Sequence, residues 1–365
     1  MNRFLLLLLI PLVVADSIYE FATFYSITIN HSTSEIVGRE DLMGRYEYEL
    51  LLTADPETGE LPEGIRQAEL KFIDKVVKRA ERLRTHQALE IEQAGPFNVG
   101  GRIRAVAFDI RDENTILAGG VSGGIWKSTD GGQSWGRTSD PQNRNSVTCL
   151  VQDTRPGQED TWYHGTGEIV GNSARGGGGA FYRGDGIYKS TDNGETWNPI
   201  ASTQDADPQI FNSQFQYIWD IEVNEQNLIE DEILVAAYGG ILRSTDGGDS
   251  WEVELGQELF GLPDGTDLNG SDASFYTSIE QSSTGLFYAT LSTATSSSDV
   301  ISQAAGIYIS RDGREWMKIS PFITGSQYRR IVIGTSESNP SISYFLVDSN
   351  PILILQHQLQ QFDDN

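Results

Sequence analysis

One nine-residue phrase recurs along this chain and limits what it can fold into: KSTDGGQSW ending at Trp135, KSTDNGETW ending at Trp197 and RSTDGGDSW ending at Trp251. A fourth copy, ISRDGREW ending at Trp316, is one residue shorter between its Asp and its Trp. The serines Ser128, Ser190, Ser244 and Ser310 are separated by 62, 54 and 66 residues, enough chain for one four-stranded sheet and its loops. Each phrase is preceded by short β-rich runs separated by turn residues. First strands are expected over Arg102 to Asp109, Ser146 to Asp153, Tyr217 to Val223 and Phe275 to Glu280. Second strands are expected near Thr115 to Ala118, Thr161 to His164, Glu232 to Ala237 and Leu286 to Thr290. Third strands lead into the phrases from Gly124, Gly186, Gly240 and Gly306. Self-similarity at this period, with four strands per unit, predicts an all-β propeller of radially arranged blades.

The phrase reads as a lock on the hairpin between third and fourth strands. Ser and Asp can accept hydrogen bonds from N–H groups of the turn, Gly supplies positive φ, and Trp folds over the hairpin into the space between sheets. The structural set is therefore Ser128, Asp130, Gly132 and Trp135; Ser190, Asp192, Gly194 and Trp197; Ser244, Asp246, Gly248 and Trp251; and Ser310, Asp312 and Trp316. This S-x-D-x-G-x-x-W pattern resembles the Asp-box, or BNR, repeat of sialidases, sortilin-type receptors, xyloglucan-cleaving glycoside hydrolases and a plastid photosystem assembly factor. The resemblance implies that the boxes sit on the rim, away from the ligand face, so their aspartates are not catalytic. The phrases GPFNVGGRIRAVAFD (Gly95 to Asp109), YELLLTADPETGELPEGIRQAEL (Tyr48 to Leu70) and GTGE (Gly165 to Glu168) are similar to those of large secreted Asp-box proteins of Bacteroidetes-type bacteria. That likeness covers roughly Tyr48 to Asp348.

Outside the repeat, Arg3, the apolar run Phe4 to Val14 and the small residues Val13 and Ala15 match a secretory signal peptide over 1–15. The run would cover roughly 16 Å as a helix, short of the ~30 Å needed to span a bilayer, and no other stretch approaches that length. A secreted or cell-surface protein is expected. An N-terminal extension over 16–94 carries strand-like pieces at Ile18 to Ile29 and Arg45 to Leu52. It also carries a helix over about 62–84, with Ile65, Ala68, Phe72, Ile73, Val76, Ala80 and Leu83 on one stripe. The propeller is expected over 95–348, with Tyr328 to Gly334 and Ser343 to Val347 beginning a fifth blade. Because 349–365 holds no fifth box, it reads as an irregular tail, and the ring as incomplete. Two explanations stand: further blades or domains of a longer polypeptide, or irregular closure by N-terminal strands.

With 52 Asp/Glu against 26 Lys/Arg, the chain carries a net charge of -26, which opposes binding to nucleic acid. Its single cysteine, Cys149, lies in an alternating strand and reads as buried, so no internal disulfide forms. His31, His86, His164 and His357 show no metal-ligand spacing, and neither metal nor cofactor is expected. Xyloglucan-cleaving relatives place a catalytic Asp in a T-D-[IV]-G-G phrase; here Gly120-Val121-Ser122-Gly123-Gly124 puts Val121 at the acidic position. The sialidase R-I-P motif is missing from the sequence. No catalytic residue is assigned. The glycine-rich insertion Gly165 to Asp185 is the candidate ligand loop, with Glu168, Asn172, Arg175, Phe181, Tyr182, Arg183 and Asp185 supplying aromatic and hydrogen-bonding groups. The expected role is a protein- or glycan-binding module, with an extracellular glycoside hydrolase as the alternative.

Overall fold

The computed structural model describes residues 25–29, 64, 67–68, 71–72, 75, 101–143, 146–168, 182–204, 211–257, 276–292, 305–319, 330–336, 338–348 and 352–358. In chain order the strands are β1 (Tyr25–Ile29), β2 (Ile103–Asp109), β3 (Asp112–Gly120), β4 (Gly124–Ser128) and β5 (Gly136–Arg137). Then come β6 (Val147–Gln152), β7 (Trp162–Thr166), β8 (Ile187–Ser190), β9 (Asn198–Pro199) and β10 (Ile218–Val223). Next are β11 (Ile233–Ala237), β12 (Gly240–Ser244), β13 (Glu252–Gly256), β14 (Thr277–Gln281) and β15 (Phe287–Leu291). The last are β16 (Gly306–Ser310), β17 (Met317–Lys318), β18 (Ile331–Thr335), β19 (Ile342–Val347) and β20 (Ile352–Gln358).

They form five four-stranded antiparallel sheets, the blades of a β-propeller. Blades one to four are β2 to β5, β6 to β9, β10 to β13 and β14 to β17, each in sequence order. Blade five is ordered β18-β19-β20-β1, so its outermost strand comes from the N-terminal extension. Residues 352–358, expected within an irregular tail, are its third strand. Residues 353–358 pair with β19, and the run of β-prone aliphatic residues from Ile352 to Leu355 suits a strand paired on both sides.

Four apolar clusters join the five blades. Leu117 and Ile125 of blade one pack on Trp162, Tyr188 and Trp197 of blade two. Tyr163 and Ile187 meet Ile218, Val235 and Leu242 across the next junction. Trp219, Leu234 and Ile241 meet Phe287 and Leu291, and Tyr288 and Ile307 meet Ile333 and Phe345. Middle strands are therefore covered on both faces: every residue of β7, β11 and β15 is buried. The two outer blades alternate instead, because one face has no neighbouring sheet among the described residues. Val106 and Phe108 of β2 are 58% and 59% exposed, and Tyr344 and Leu346 of β19 are 45% and 48% exposed.

Side-chain hydrogen bonds hold the repeat turns. Ser128 Oγ accepts from Gly132 N at 2.9 Å, and Asp130 accepts from Ser134 N and Ser134 Oγ at 2.9 and 2.6 Å. Ser190 with Asp192 and Ser244 with Asp246 repeat the arrangement. In the shortened copy, Asp312 accepts from Arg314 N and Glu315 N at 2.9 and 3.0 Å. Gly194 shows why glycine is needed: φ is +78°, and an added Cβ would stand 2.4 Å from Leu117 Cδ2 in the preceding blade. Trp197 is 7% exposed and its indole N–H donates to Thr138 Oγ1 at 3.1 Å, on the segment leaving blade one. Trp251 likewise reaches Ser202 Oγ at 3.0 Å. Each of these turns thus clasps the blade before it. Trp135, in the first blade, bonds only Gly132 O of its own turn among the described residues and is 41% exposed.

Of the N-terminal helix, Gln67, Ala68, Lys71, Phe72 and Lys75 are described; all are helical and exposed. Ala68 N donates to Gly64 O at 3.0 Å. The rest of that helix, the signal segment and the strand expected at Arg45 to Leu52 lie outside the described residues. No helix among the described residues is long and apolar enough to cross a membrane.

Candidate functional site

Inner strands run from one end of the propeller, here the mouth, toward the other, the base. β7 is antiparallel to β6, with Val147 opposite Thr166, so β7 ends at the mouth and Glu168 follows it there. The third strands run back to the base, which places all four repeat turns at the end opposite Glu168. The segments entering each inner strand and the first residues of those strands also lie at the mouth, and they carry the remaining members of the site.

GTGE owes its composition to close packing. A Cβ on Gly165 would lie 2.5 Å from Ile218 Cγ2 and 2.7 Å from the Cys149 sulfur. One on Gly167, at φ +97°, would lie 1.8 Å from Gln216 O. Two glycines therefore let the end of β7 press against blade three and deliver Glu168 to the axis, where it is fully buried. Its carboxylate is held by Arg102 through Oε2 and by Arg104 through Oε1. Backbone bonds between Glu168 and Tyr182, 2.8 and 2.7 Å, close the neck of the insertion beneath it.

Arg104 stands at a bulge in β2, and the bulges in β6 and β10 fall at Thr148 and Trp219. A bulge turns its extra residue out of the alternating pattern, which aims Arg104 and Trp219 toward each other: the guanidinium lies 5.3 Å from the indole centroid. Arg330, which enters β18, lies over the same indole at 5.6 Å and over Tyr276 at 6.0 Å. Burial, then repulsion from Arg104, makes the Arg330 guanidinium less basic than usual. Among the described residues Arg104 Nη2 is buried without a hydrogen-bond partner. Two guanidiniums thus close on one enclosed carboxylate, and the third joins Arg104 over an aromatic floor.

Below this layer lie three carboxyls. Asp220 accepts from Ser278 Oγ at 3.2 Å, and burial pushes its carboxyl up to about 7. Burial, reinforced by Asp220 and Glu280, also raises Glu222 well above the ordinary range. Glu280 accepts from Thr335 N and Oγ1 at 3.0 and 2.7 Å. Asp220 and Glu280 each use an oxygen to tie their blade to the next.

Of the residues the sequence marks as ligand contacts, Glu168, Tyr182, Arg183 and Asp185 are described, while Asn172, Arg175 and Phe181 lie outside the described residues. Glu168 belongs to the axial cluster and Tyr182, 44% exposed, to its rim. Asp185 is turned into the blade, where its N–H donates to Thr166 Oγ1 at 2.8 Å. Arg183 lies against the Tyr217 hydroxyl. Arg102 and Arg104 carry the site together with Trp219, Tyr276 and Arg330, none of which the sequence reading assigned to it. Aligning the blades on the turn residue that closes each inner strand would have found all of them but Arg102. Five places earlier stand Arg104, Thr148, Trp219, Thr277 and Ile331; six places earlier stand Ile103, Val147, Ile218, Tyr276 and Arg330. Arginine and large aromatics stand out in rows otherwise held by smaller or aliphatic side chains. Cys149 is buried as expected, and burial raises its thiol far above the usual range.

No protein-family model matches this sequence. No curated protein matches it either. Solved structures do resemble it in shape. An ancestral GH74 enzyme shares 18% identity over 73% of this chain and 32% of its own, with a TM-score of 0.49. The GH74 xyloglucanase from Xanthomonas campestris shares 15% over 72% of this chain and 44% of its own, with a TM-score of 0.41. An auxiliary nutrient binding protein from Bacteroides thetaiotaomicron shares 10% over 72% of this chain and 61% of its own, with a TM-score of 0.39. The chain spans less than half the length of the two GH74 proteins.

Proposed function

We propose that the chain is a secreted or cell-surface binding module whose axial mouth takes a carboxylate-bearing glycan. The supporting observation is the gathering of arginines at the mouth. In a chain of net charge -26, Arg102 and Arg104 pair with the buried carboxylate of Glu168, and Arg330 joins Arg104 over Trp219 above the layer of Asp220. Guanidiniums match carboxylates in a two-point fork, and Arg104 keeps a buried terminal nitrogen without a partner among the described residues. A ligand carboxylate between Arg104 and Arg330 would relieve their mutual repulsion. The rim around Tyr182 and the 169–181 segment would supply contacts to the rest of the ligand.

The test is an array of uronate-containing and neutral polysaccharides, together with acidic peptides, probed with the wild type and Arg330→Ala. Saturable binding to acidic glycans, weakened at least tenfold by the substitution and by raised salt, is the expected result. Equal binding of neutral glycans, or an unchanged Arg330→Ala variant, overturns the reading. Binding confined to acidic peptides makes the module a protein receptor. Hydrolysis is the second reading, favoured by Asp220, a carboxyl that keeps its proton close to neutral pH as a general acid must. New reducing ends in the same samples, lost in Asp220→Asn, would establish it.

A further inference from the structure

We infer that the N-terminal helix, over about 62–84, docks by its apolar stripe into the slot between blade five and blade one and closes the ring from within the same chain. The slot has two described walls. On blade one, register places Val106, Ala118 and Trp126 in one row of the face turned away from blade two, with Phe108 and Ile116 in the next. On blade five, Val332 pairs with Leu346, and with Tyr344 they lie on the face turned away from blade four. Val106, Phe108, Tyr344 and Leu346 are about half exposed, and Val332 is 42% exposed. Apolar rows of this kind are buried at every other junction of the propeller. Trp135 marks the same vacancy, because its counterparts Trp197 and Trp251 clasp a preceding blade and it has none.

The walls belong to one slot rather than to two separate ends. Arg104 of blade one and Arg330 of blade five lie over the same Trp219 indole, at 5.3 and 5.6 Å, so the arc turns back on itself at the axis. Covalent continuity then names the occupant. β1 is the outermost strand of blade five and β2 the innermost of blade one, so the 73 residues 30–102 join one wall to the other. They contain the stripe of Ile65, Phe72, Val76 and Leu83, whose member Phe72 is 67% exposed and so has apolar surface left to cover. A helix is ~10 Å across and packed sheets lie ~10 Å apart, so one helix can stand in the place of a sheet. Its opposite face, with Lys71, Lys75 and Lys78, would remain in water.

Hydroxyl-radical footprinting of the full chain reads this directly. In the wild type, Phe108, Trp126, Trp135 and Tyr344 should be protected. Phe72→Asp should raise their labelling at least threefold while Trp162, fully buried inside blade two, stays dark. Equal labelling of the two chains, high or low, overturns the proposal. So does protection that vanishes on dilution, which would mean that a second copy fills the slot. As an independent check, Phe72→Cys paired with Val106→Cys or with Leu346→Cys should form an intrachain disulfide under mild oxidation, at least tenfold faster than Asp74→Cys paired with Val106→Cys. Failure of both pairs also overturns it.

Discussion

Asp220→Asn isolates the electrostatic cost of the propeller axis. Burial pushes the Asp220 carboxyl from an ordinary 3.8 up to about 7; the Ser278 hydroxyl opposes the rise and Glu280 adds to it. A carboxyl with a raised folded value keeps its proton in the folded state where the unfolded chain has released it. Its burial therefore costs nothing below about pH 4, destabilises progressively as pH rises, and reaches its full penalty above about 7. At ~1.36 kcal/mol per pH unit the penalty is on the order of 4 kcal/mol, lowered by whatever water reaches this half-buried group. Asparagine has the same size, cannot ionise, and keeps an oxygen to accept the Ser278 hydrogen bond, 3.2 Å in the wild type. Urea unfolding of both proteins from pH 5.5 to 8.5 gives the difference in stability at each pH. That difference should grow in the variant's favour by about 2 kcal/mol or more across the range. Other titrations, including those of His164 and His357, largely cancel in the difference. A constant difference would refute the reasoning and place the Asp220 carboxylate in contact with water or a counter-charge.

The remaining predictions concern the junctions and the mouth. Trp197→Ala should lower stability by about 3 to 5 kcal/mol, read from urea unfolding, because Trp197 fills the junction of blades one and two. Gly194→Ala should destabilise more than Gly132→Ala: both glycines have positive φ, but only at Gly194 would the new Cβ meet a preceding blade, at Leu117. His164 is stacked on Tyr188 with centroids 4.9 Å apart and held neutral by burial, with its value lowered to about 3. It favours the folded state above about pH 6.5 and loses that contribution as pH falls; His164→Phe should flatten the decline in melting temperature between pH 7 and 5. Arg330→Ala should weaken binding of acidic glycans tenfold or more in the array described above while leaving the melting temperature within a few degrees.

How much of this was legible in the sequence depends on how local each signal is. A repeat turn is written within nine consecutive residues, so hydrogen bonds such as Ser190 to Gly194 and Asp192 to Thr196 could be anticipated one by one. Blade five has no such phrase. Its third strand, β20, reads as tail because Ile352–Gln358 is a short aliphatic run followed by Gln, His and Gln with no repeat turn after it, and its fourth strand comes from the far end of the chain. The mouth is less local still: Arg104, Glu168, Trp219, Tyr276 and Arg330 come from five blades or the segments entering them. Only Glu168 stood out, because the glycines beside it make a visible phrase.

The same geometry explains why an acidic chain gathers arginines at its axis. Inner strands from all five blades converge there, so each position is repeated around a narrow space, and like charges in one row would face each other with little water between them. Asp220, Glu222 and Glu280 show the effect from the acidic side: burial raises Asp220 and Glu222, and each feels its carboxyl neighbours. One layer up, Arg102 and Arg104 close on Glu168 while Arg330 lies over the same Trp219 indole as Arg104. Charges of both signs crowded at one axis are not the arrangement that stability alone would favour, since hydrophobic residues of similar volume would fill the space without repulsion or desolvation. The proposed carboxylate ligand would pair with Arg104 and Arg330 in a two-point fork and relieve the repulsion between them.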